Sequence, residues 1–222
     1  MIDGILNPGE KHIACVLLVD TSGSMAGESM KELNEGLQAF GEALQSDSHA
    51  SGCADVCVIN FNSTVKMEVP FCSAVDYNPP VLSAGGLTAM NEAIITGLDA
   101  IEQRKQEYKT VGVDYWRPWL FLLTDGVPTD DEYSADAHQR IQEALSSKKI
   151  NFFPMGIGAD ADIQALKAYT LNGAGPVLKA RKEHFKEAFV WLSSSMSVVS
   201  QSDPSMTKIN MEPTPSTISI EL

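Results

Sequence analysis

A run of seven apolar residues that ends in an aspartate constrains the fold of this chain more than any other feature. Residues 13 to 19 read IACVLLV, and Asp20 follows directly. The run is too short to span a membrane, and this composition is typical of a strand that is buried on both faces. Such strands occur in parallel sheets that are covered by helices on both sides. The first element therefore favours an α/β fold.

The rest of the chain continues this pattern of buried strands and amphipathic helices. Apolar spacing of three and four residues predicts helices over 30–44, 88–105, 131–147, 161–170 and 183–199. Apolar runs predict strands over 54–61, 119–124 and 150–157, the last interrupted by Pro154, and an edge strand near 177–178. Residues 64–71 alternate and follow a short turn, which predicts an antiparallel edge strand. This order predicts a doubly wound, mostly parallel open sheet with helices on both faces and one antiparallel edge strand.

Two local predictions concern the ends of helices. The polar segment 106–117 contains Gly112 and ends before Pro118, so we interpret it as a loop. Thr129 stands three residues before Glu132, which is the spacing of a capping box at the start of the helix predicted over 131–147.

The length and composition fit one large domain with a short tail. The chain has 222 residues, of which 44% are hydrophobic, and a chain of that size buries a substantial core without disulfides. We predict a domain over residues 1–199. Residues 200–222 are rich in Ser, Thr and Pro, and only the last few alternate like a strand, so we predict a C-terminal tail there. The four cysteines match no zinc-binding spacing, and we interpret them as buried thiols.

The charge of the chain narrows the range of partners. The formal net charge is −13, and a surface of that sign repels the phosphate backbone of nucleic acids. No apolar run is long enough to cross a membrane. The N-terminal residues read MIDG and lack the basic segment of a signal peptide, so we expect a cytoplasmic protein. The oligomeric state stays open.

Hydroxyl and carboxylate side chains collect at the positions where strands end or helices begin. Five such residues stand in three loops of the predicted fold: Asp20, Ser22, Ser24, Thr88 and Asp125. In a doubly wound sheet the loops at the carboxyl ends of the strands form the ligand site. All five donors are hard oxygens, which suits Mg²⁺, Mn²⁺ or Ca²⁺ and argues against zinc or copper. A cation there would also offset the cost of burying an aspartate at a strand end.

Parts of this set have simpler interpretations when they are taken alone. Asp20, Ser22 and Ser24 have the residue types of turns and helix N-caps. Asp130 and Asp131 have those of the first turn of a helix. The complete set on three loops is what favours a metal site.

The five residues resemble the metal-ion-dependent adhesion site of the von Willebrand factor A family. Asp20, Ser22 and Ser24 match the family's Asp-x-Ser-x-Ser signature. Thr88 matches its second-loop threonine, and Asp125 matches its third-loop aspartate. The phrases LLVDTSGSM, GGLTAMNEAI and FLLTDGVPTD are similar to the bacterial cytosolic branch of the tellurium-resistance protein TerY and its relative YegL. The resemblance implies that the three hydroxyls contact the metal directly, Thr88 in the ligand-competent form, and that the aspartates act mainly through water.

The resemblance implies a protein-interaction module and no catalytic residues. It also implies that a bound Mg²⁺, or Mn²⁺ or Ca²⁺ in its place, would accept an Asp or Glu carboxylate from a partner protein, in a bacterial stress-response assembly like that of tellurium resistance. The alternative is a magnesium-dependent phosphoryl-transfer enzyme of the haloacid-dehalogenase type. Such enzymes need a second acid two residues after the first, and that position here is Ser22.

Overall fold

The computed structural model describes residues 5–159, 161–202 and 213–221, which form a helix-covered sheet. Within these residues the strands follow the order β3-β2-β1-β4-β5-β6-β7. Their bounds are β1 Ile13–Asp20, β2 Ala54–Phe61, β3 Val65–Ser73, β4 Trp119–Thr124, β5 Asn151–Ile157, β6 Val177–Ala180 and β7 Ile218–Glu221. The pairings from β2 to β6 are parallel, and β3 and β7 pair antiparallel at the two edges.

Helices cover both faces of this sheet, as the fold prediction requires. Their bounds are α1 Glu28–Ser46, α2 Ala50–Cys53, α3 Met90–Val111, α4 Ser134–Ser146, α5 Ile163–Lys167 and α6 Phe185–Ser200. Helices α1 and α6 pack together on one face, where the rings of Phe40 and Phe189 meet edge to face at 6.1 Å. Helices α3 and α4 cover the opposite face. The doubly wound α/β fold is therefore confirmed.

Strand β1 shows why the apolar run is so informative. All of its residues are buried, and successive side chains enter opposite layers of the core. Cys15, Leu17 and Val19 pack with α1 and α6, whereas Val16 and Leu18 pack with α3 and α4. No helix among the described residues is long and apolar enough to cross a membrane.

Two predictions about element bounds are wrong. Helix α3 continues through much of the segment predicted as a loop and ends at Val111, and the positive φ of 73° at Gly112 directly after it suits a helix C-terminus. The buried Tyr108 ring packs the last turns of α3 against the domain, so the polar residues of this segment lie on the solvent side of the helix. Strand β5 is not interrupted by Pro154, which pairs with Leu122 of β4 within the ladder.

The C-terminal residues extend the sheet. Strand β3 is the predicted antiparallel edge strand, which is confirmed. Strand β7 is a further antiparallel strand that pairs with β6, so the strand near 177–178 is not at the edge as predicted. Residues 203–212 of the predicted tail lie outside the described residues. The boundary at residue 199 stays a prediction, although Ile218 of β7 is buried in the core.

Candidate metal centre

The candidate site lies where the chain reverses its direction across the sheet. From β1 the chain proceeds outward to β2 and β3, and from β4 it proceeds outward on the other side. Strands β1 and β4 are adjacent and parallel, so their carboxyl ends meet at this switch point. Asp20 ends β1, Thr124 ends β4, and Asp125 follows.

A chain of hydrogen bonds joins the first and third loops. The Ser24 hydroxyl donates to Asp125 Oδ1 at 2.6 Å, across 101 positions of sequence. The Ser22 and Ser24 hydroxyl oxygens are 3.0 Å apart. Because the Ser24 hydroxyl donates its hydrogen to Asp125, Ser22 is the donor in this second bond. Ser22 is buried and Ser24 is exposed. The oxygen chain therefore leads from the interior to the surface.

Asp20 lies fully buried at the inner end of this site. Its Oδ1 accepts from the Ser22 N–H at 2.7 Å, and its Oδ2 accepts from the Thr124 hydroxyl. Burial raises the pKa of the Asp20 carboxyl, and the nearby charge of Asp125 raises it further, against the lowering effect of these hydrogen bonds. The hydrogen bonds therefore compensate the cost of burying the ionised carboxylate only in part.

The second loop lies against the first through its backbone. The Gly23 N–H donates to the Gly86 carbonyl at 3.1 Å, and the Gly85 N–H donates to the Thr21 carbonyl at 2.8 Å. Gly86 has a φ of +80°, and a Cβ on it would lie 2.5 Å from the Ser63 hydroxyl, so this close approach requires glycine.

Thr88 is buried beside the third loop. Its Oγ1 lies 3.8 Å from the position that a Cβ would take on Gly126, the neighbour of Asp125. The structure thus brings all five predicted site residues to one end of the sheet. Their role as metal ligands stays a prediction.

The donor set fits a hard divalent cation. Within the described part of the chain, no three His, Cys, Asp or Glu side chains gather closely enough to hold a metal ion. A cation here would therefore be held by two carboxylates together with serine and threonine hydroxyls. Oxygen donors of this kind suit Mg²⁺, Mn²⁺ and Ca²⁺. A dication would also compensate the buried charge of Asp20.

Thr129 and Asp130 contact the start of α3 and not that of the helix predicted over 131–147. Helix α4 begins at Ser134, and no side chain caps it, so the predicted capping box is wrong. The Thr129 hydroxyl instead accepts the Thr88 N–H at 3.0 Å. The Asp130 carboxylate accepts from the backbone N–H groups of Asn91 and Glu92 in α3. The available signal was Ala89, because a helix that starts after alanine lacks a capping oxygen of its own.

Comparison with known proteins places the domain in a family. The von Willebrand factor type A domain matches residues 15–188, and the chain belongs to that family, whose domains serve as protein-interaction modules. Inter-alpha-trypsin inhibitor heavy chain H2 of Homo sapiens is 25% identical over 183 residues. That match covers 77% of this chain and 18% of the human protein, so the chain spans less than a fifth of this relative.

Solved structures share the fold at low sequence identity. The pilus adhesin SpaC from Lactobacillus rhamnosus GG has a TM-score of 0.65 at 16% identity, covering 89% of this chain and 31% of the adhesin. Proximal thread matrix protein 1 of the mussel byssus, solved with a zinc-occupied MIDAS motif, has a TM-score of 0.57 at 17% identity. The match covers 85% of this chain and 48% of the mussel protein.

Proposed function

We propose that this domain binds a divalent cation, Mg²⁺ above all, and uses it to hold a carboxylate of a partner protein. The proposed ligands are Asp20, Ser22, Ser24, Thr88 and Asp125. One observation carries the proposal: Ser22, Ser24 and Asp125 form a hydrogen-bonded chain that leads from buried Asp20 to the surface. The mussel protein, whose MIDAS motif holds zinc, supports a metal at this position of the fold.

The residues of the site favour binding over catalysis. Ser22, Ser24 and Thr88 are neutral, and they leave most of the charge of a bound cation uncompensated. When bound, such a cation would offer an electrophilic position to an anionic oxygen from outside the domain. Ser22 stands where a phosphoryl-transfer enzyme of the haloacid-dehalogenase type needs an acid, and serine does not titrate near neutral pH. We therefore propose a non-enzymatic module.

The surface next to the site suits contact with a protein. Leu87 precedes Thr88 and is 61% exposed, and Val127 follows the Asp125–Gly126 turn and is 45% exposed. Apolar side chains next to a binding site contribute contact area when a partner covers them. The partner segment that we propose carries an Asp or Glu beside apolar residues. We take a cytoplasmic, bacterial stress-response assembly as its setting, on the strength of the sequence phrases that resemble TerY and YegL.

Metal-dependent capture tests this function. The tagged chain is incubated with lysate in Mg²⁺ or in chelator, and the partner that is lost in chelator is purified and titrated by calorimetry. Thr88→Ala is expected to weaken partner binding about tenfold or more while changing metal affinity less, because its hydroxyl coordinates in the ligand-competent form. Thr110→Ala, at an exposed threonine of α3, is the matched control. Equal partner affinity in Mg²⁺ and in chelator would contradict the proposal.

A further inference from the structure

Helix α3 begins directly after the second loop of the site and has no capping side chain of its own. The helix spans Met90–Val111, and the residue at its N-cap position is Ala89. The first N–H groups of a helix have no partner inside it, and an oxygen on the N-cap side chain normally accepts from the second and third of them. Alanine has no such oxygen.

Asp130 supplies the missing cap from the third loop. Its Oδ1 accepts from the Asn91 N–H at 3.2 Å, and its Oδ2 accepts from the Glu92 N–H at 2.8 Å. The Asn91 side-chain amide donates to the same carboxylate at 3.0 Å and to the Asp130 carbonyl at 3.1 Å. Asp130 is 7% exposed. Its charge also lies at the positive end of the helix dipole, which favours this arrangement.

Thr129 holds Thr88 itself. The Thr129 hydroxyl accepts from the Thr88 N–H at 3.0 Å, and the Thr129 N–H donates to the Thr88 carbonyl at 2.9 Å. Both backbone polar groups of Thr88 are therefore bound to one residue of the loop that begins with Asp125. Thr129 and Asp130 together bind three residues around the helix start, namely Thr88 before it and Asn91 and Glu92 in its first turn.

We infer that Thr129 and Asp130 are positioning residues that fix the second loop to the third. The pair holds Thr88 and Asp125 at a constant separation, so the site is assembled before a metal enters it. A site that is already ordered avoids the entropy loss of ordering its ligands on binding. The inference rests on the proposed function, because only that function makes Thr88 and Asp125 ligands of one ion.

Manganese titration of the full chain by calorimetry tests the inference. Thr129→Val keeps the volume of the side chain but removes the acceptor for the Thr88 N–H. We expect it to weaken Mn²⁺ binding about tenfold, because metal sites lose affinity by about this factor when a hydrogen-bond partner that orients a ligand is removed. Thr129→Ser keeps the hydroxyl and is expected to bind like the wild type. Thr96→Val is the matched control, since the Thr96 hydroxyl bonds to the Glu92 carbonyl within α3.

A double-mutant cycle separates positioning from a general structural role. If Thr129 acts through Thr88, Thr129→Val has little further effect on Mn²⁺ affinity in a Thr88→Ala background, whereas a purely structural loss adds in full. Asp130→Asn removes the charge and one acceptor, and we expect weaker Mn²⁺ binding from it too. Wild-type Mn²⁺ affinity in both Thr129→Val and Asp130→Asn overturns the positioning inference but leaves the proposed function intact. Failure of the wild type to bind Mn²⁺ overturns the proposed function.

Discussion

Two buried aspartates stand at opposite ends of the central strands, and the chain surrounds them differently. Asp20 is the last residue of β1, at the carboxyl end of the parallel strands, where the candidate site lies. Asp55 is the second residue of β2, at the amino end of the same strands. Both are fully buried. An ionised carboxylate in that environment is costly unless it is paired, so the partners of each one indicate its role.

Asp55 belongs to a closed cluster. It contacts Arg104 Nη2 at 3.2 Å and His12 Nδ1 at 2.9 Å, and it accepts a hydrogen bond from the Tyr108 hydroxyl. Arg104 is 1% exposed, so its charge is enclosed together with that of Asp55. Burial, together with the charge of Asp55, raises the pKa of Tyr108 and keeps its hydroxyl protonated as a donor. This cluster carries its own cation.

Asp20 is enclosed by neutral donors. The Thr124 hydroxyl and the Ser22 N–H donate hydrogen bonds to it, and the like charge of Asp125 raises its pKa in addition to the effect of burial. Among the residues that the structure describes, no ion pair includes Asp20. Asp55 is thus paired with an internal cation, whereas for Asp20 we propose that a cation from outside compensates the charge.

The largest expected effect is the loss of the internal cation. Arg104→Ala leaves Asp55 buried without its guanidinium, and we expect a loss of about 3–5 kcal/mol in unfolding free energy by urea titration. The loss should be the same with Mg²⁺ and with chelator. Arg140→Ala breaks the pair with Asp99, whose side chain is 63% exposed, and should cost about 0–1 kcal/mol. Equal losses of unfolding free energy in Arg104→Ala and Arg140→Ala would show that the buried pair with Asp55 stabilises the fold no more than the exposed pair with Asp99.

A smaller effect is expected at the open site. In chelator, Asp125→Asn removes a charge that repels Asp20 while keeping an oxygen that accepts from Ser24. We expect the unfolding free energy to stay within about 1 kcal/mol of the wild type, or to rise. Circular dichroism in chelator should show both proteins folded. If the wild type loses its folded signal there, the metal is structural and the proposed contrast between the two aspartates fails.

The smallest effect is a dependence on pH. The pKa of Asp20 is raised in the folded state, so its contribution to stability is present below the unfolded value of about 3.9 and is lost as the pH rises through the folded value. In chelator, Asp20→Asn should therefore gain stability relative to the wild type as the pH rises above about 4. Urea titrations over this range measure the difference. A difference that stays constant or falls would refute the assignment of an uncompensated charge.

The sequence was sufficient for the parts of the fold that depend on a continuous local pattern. Strands β1 and β4 are unbroken apolar runs, and the five candidate ligands stand beside strand ends or a helix start, so their meeting follows from the topology. The end of α3 was missed because Tyr108 stands in a polar segment but is buried against Asp55, which lies 53 positions before it. No local pattern shows such a partner.

The cap of α3 and the edge strand β7 were missed for a similar reason. Asp130 caps a helix that begins 40 residues before it in the sequence, at Met90. Strand β7 has only four residues. Their alternation indicates a strand but cannot show that this strand pairs antiparallel with β6 at the edge of the sheet. Long-range hydrogen bonds decide both features.

The most direct test of the external cation is a comparison of melting temperatures with and without Mg²⁺. The wild type and Asp99→Asn, which removes the same charge from an exposed pair on α3, should both melt higher in Mg²⁺. At a concentration of about 100 times Kd the gain is about 2.7 kcal/mol, because the ion binds only the folded state. Asp20→Asn should show little or no shift. An equal shift in all three proteins, or none in the wild type, would contradict the account.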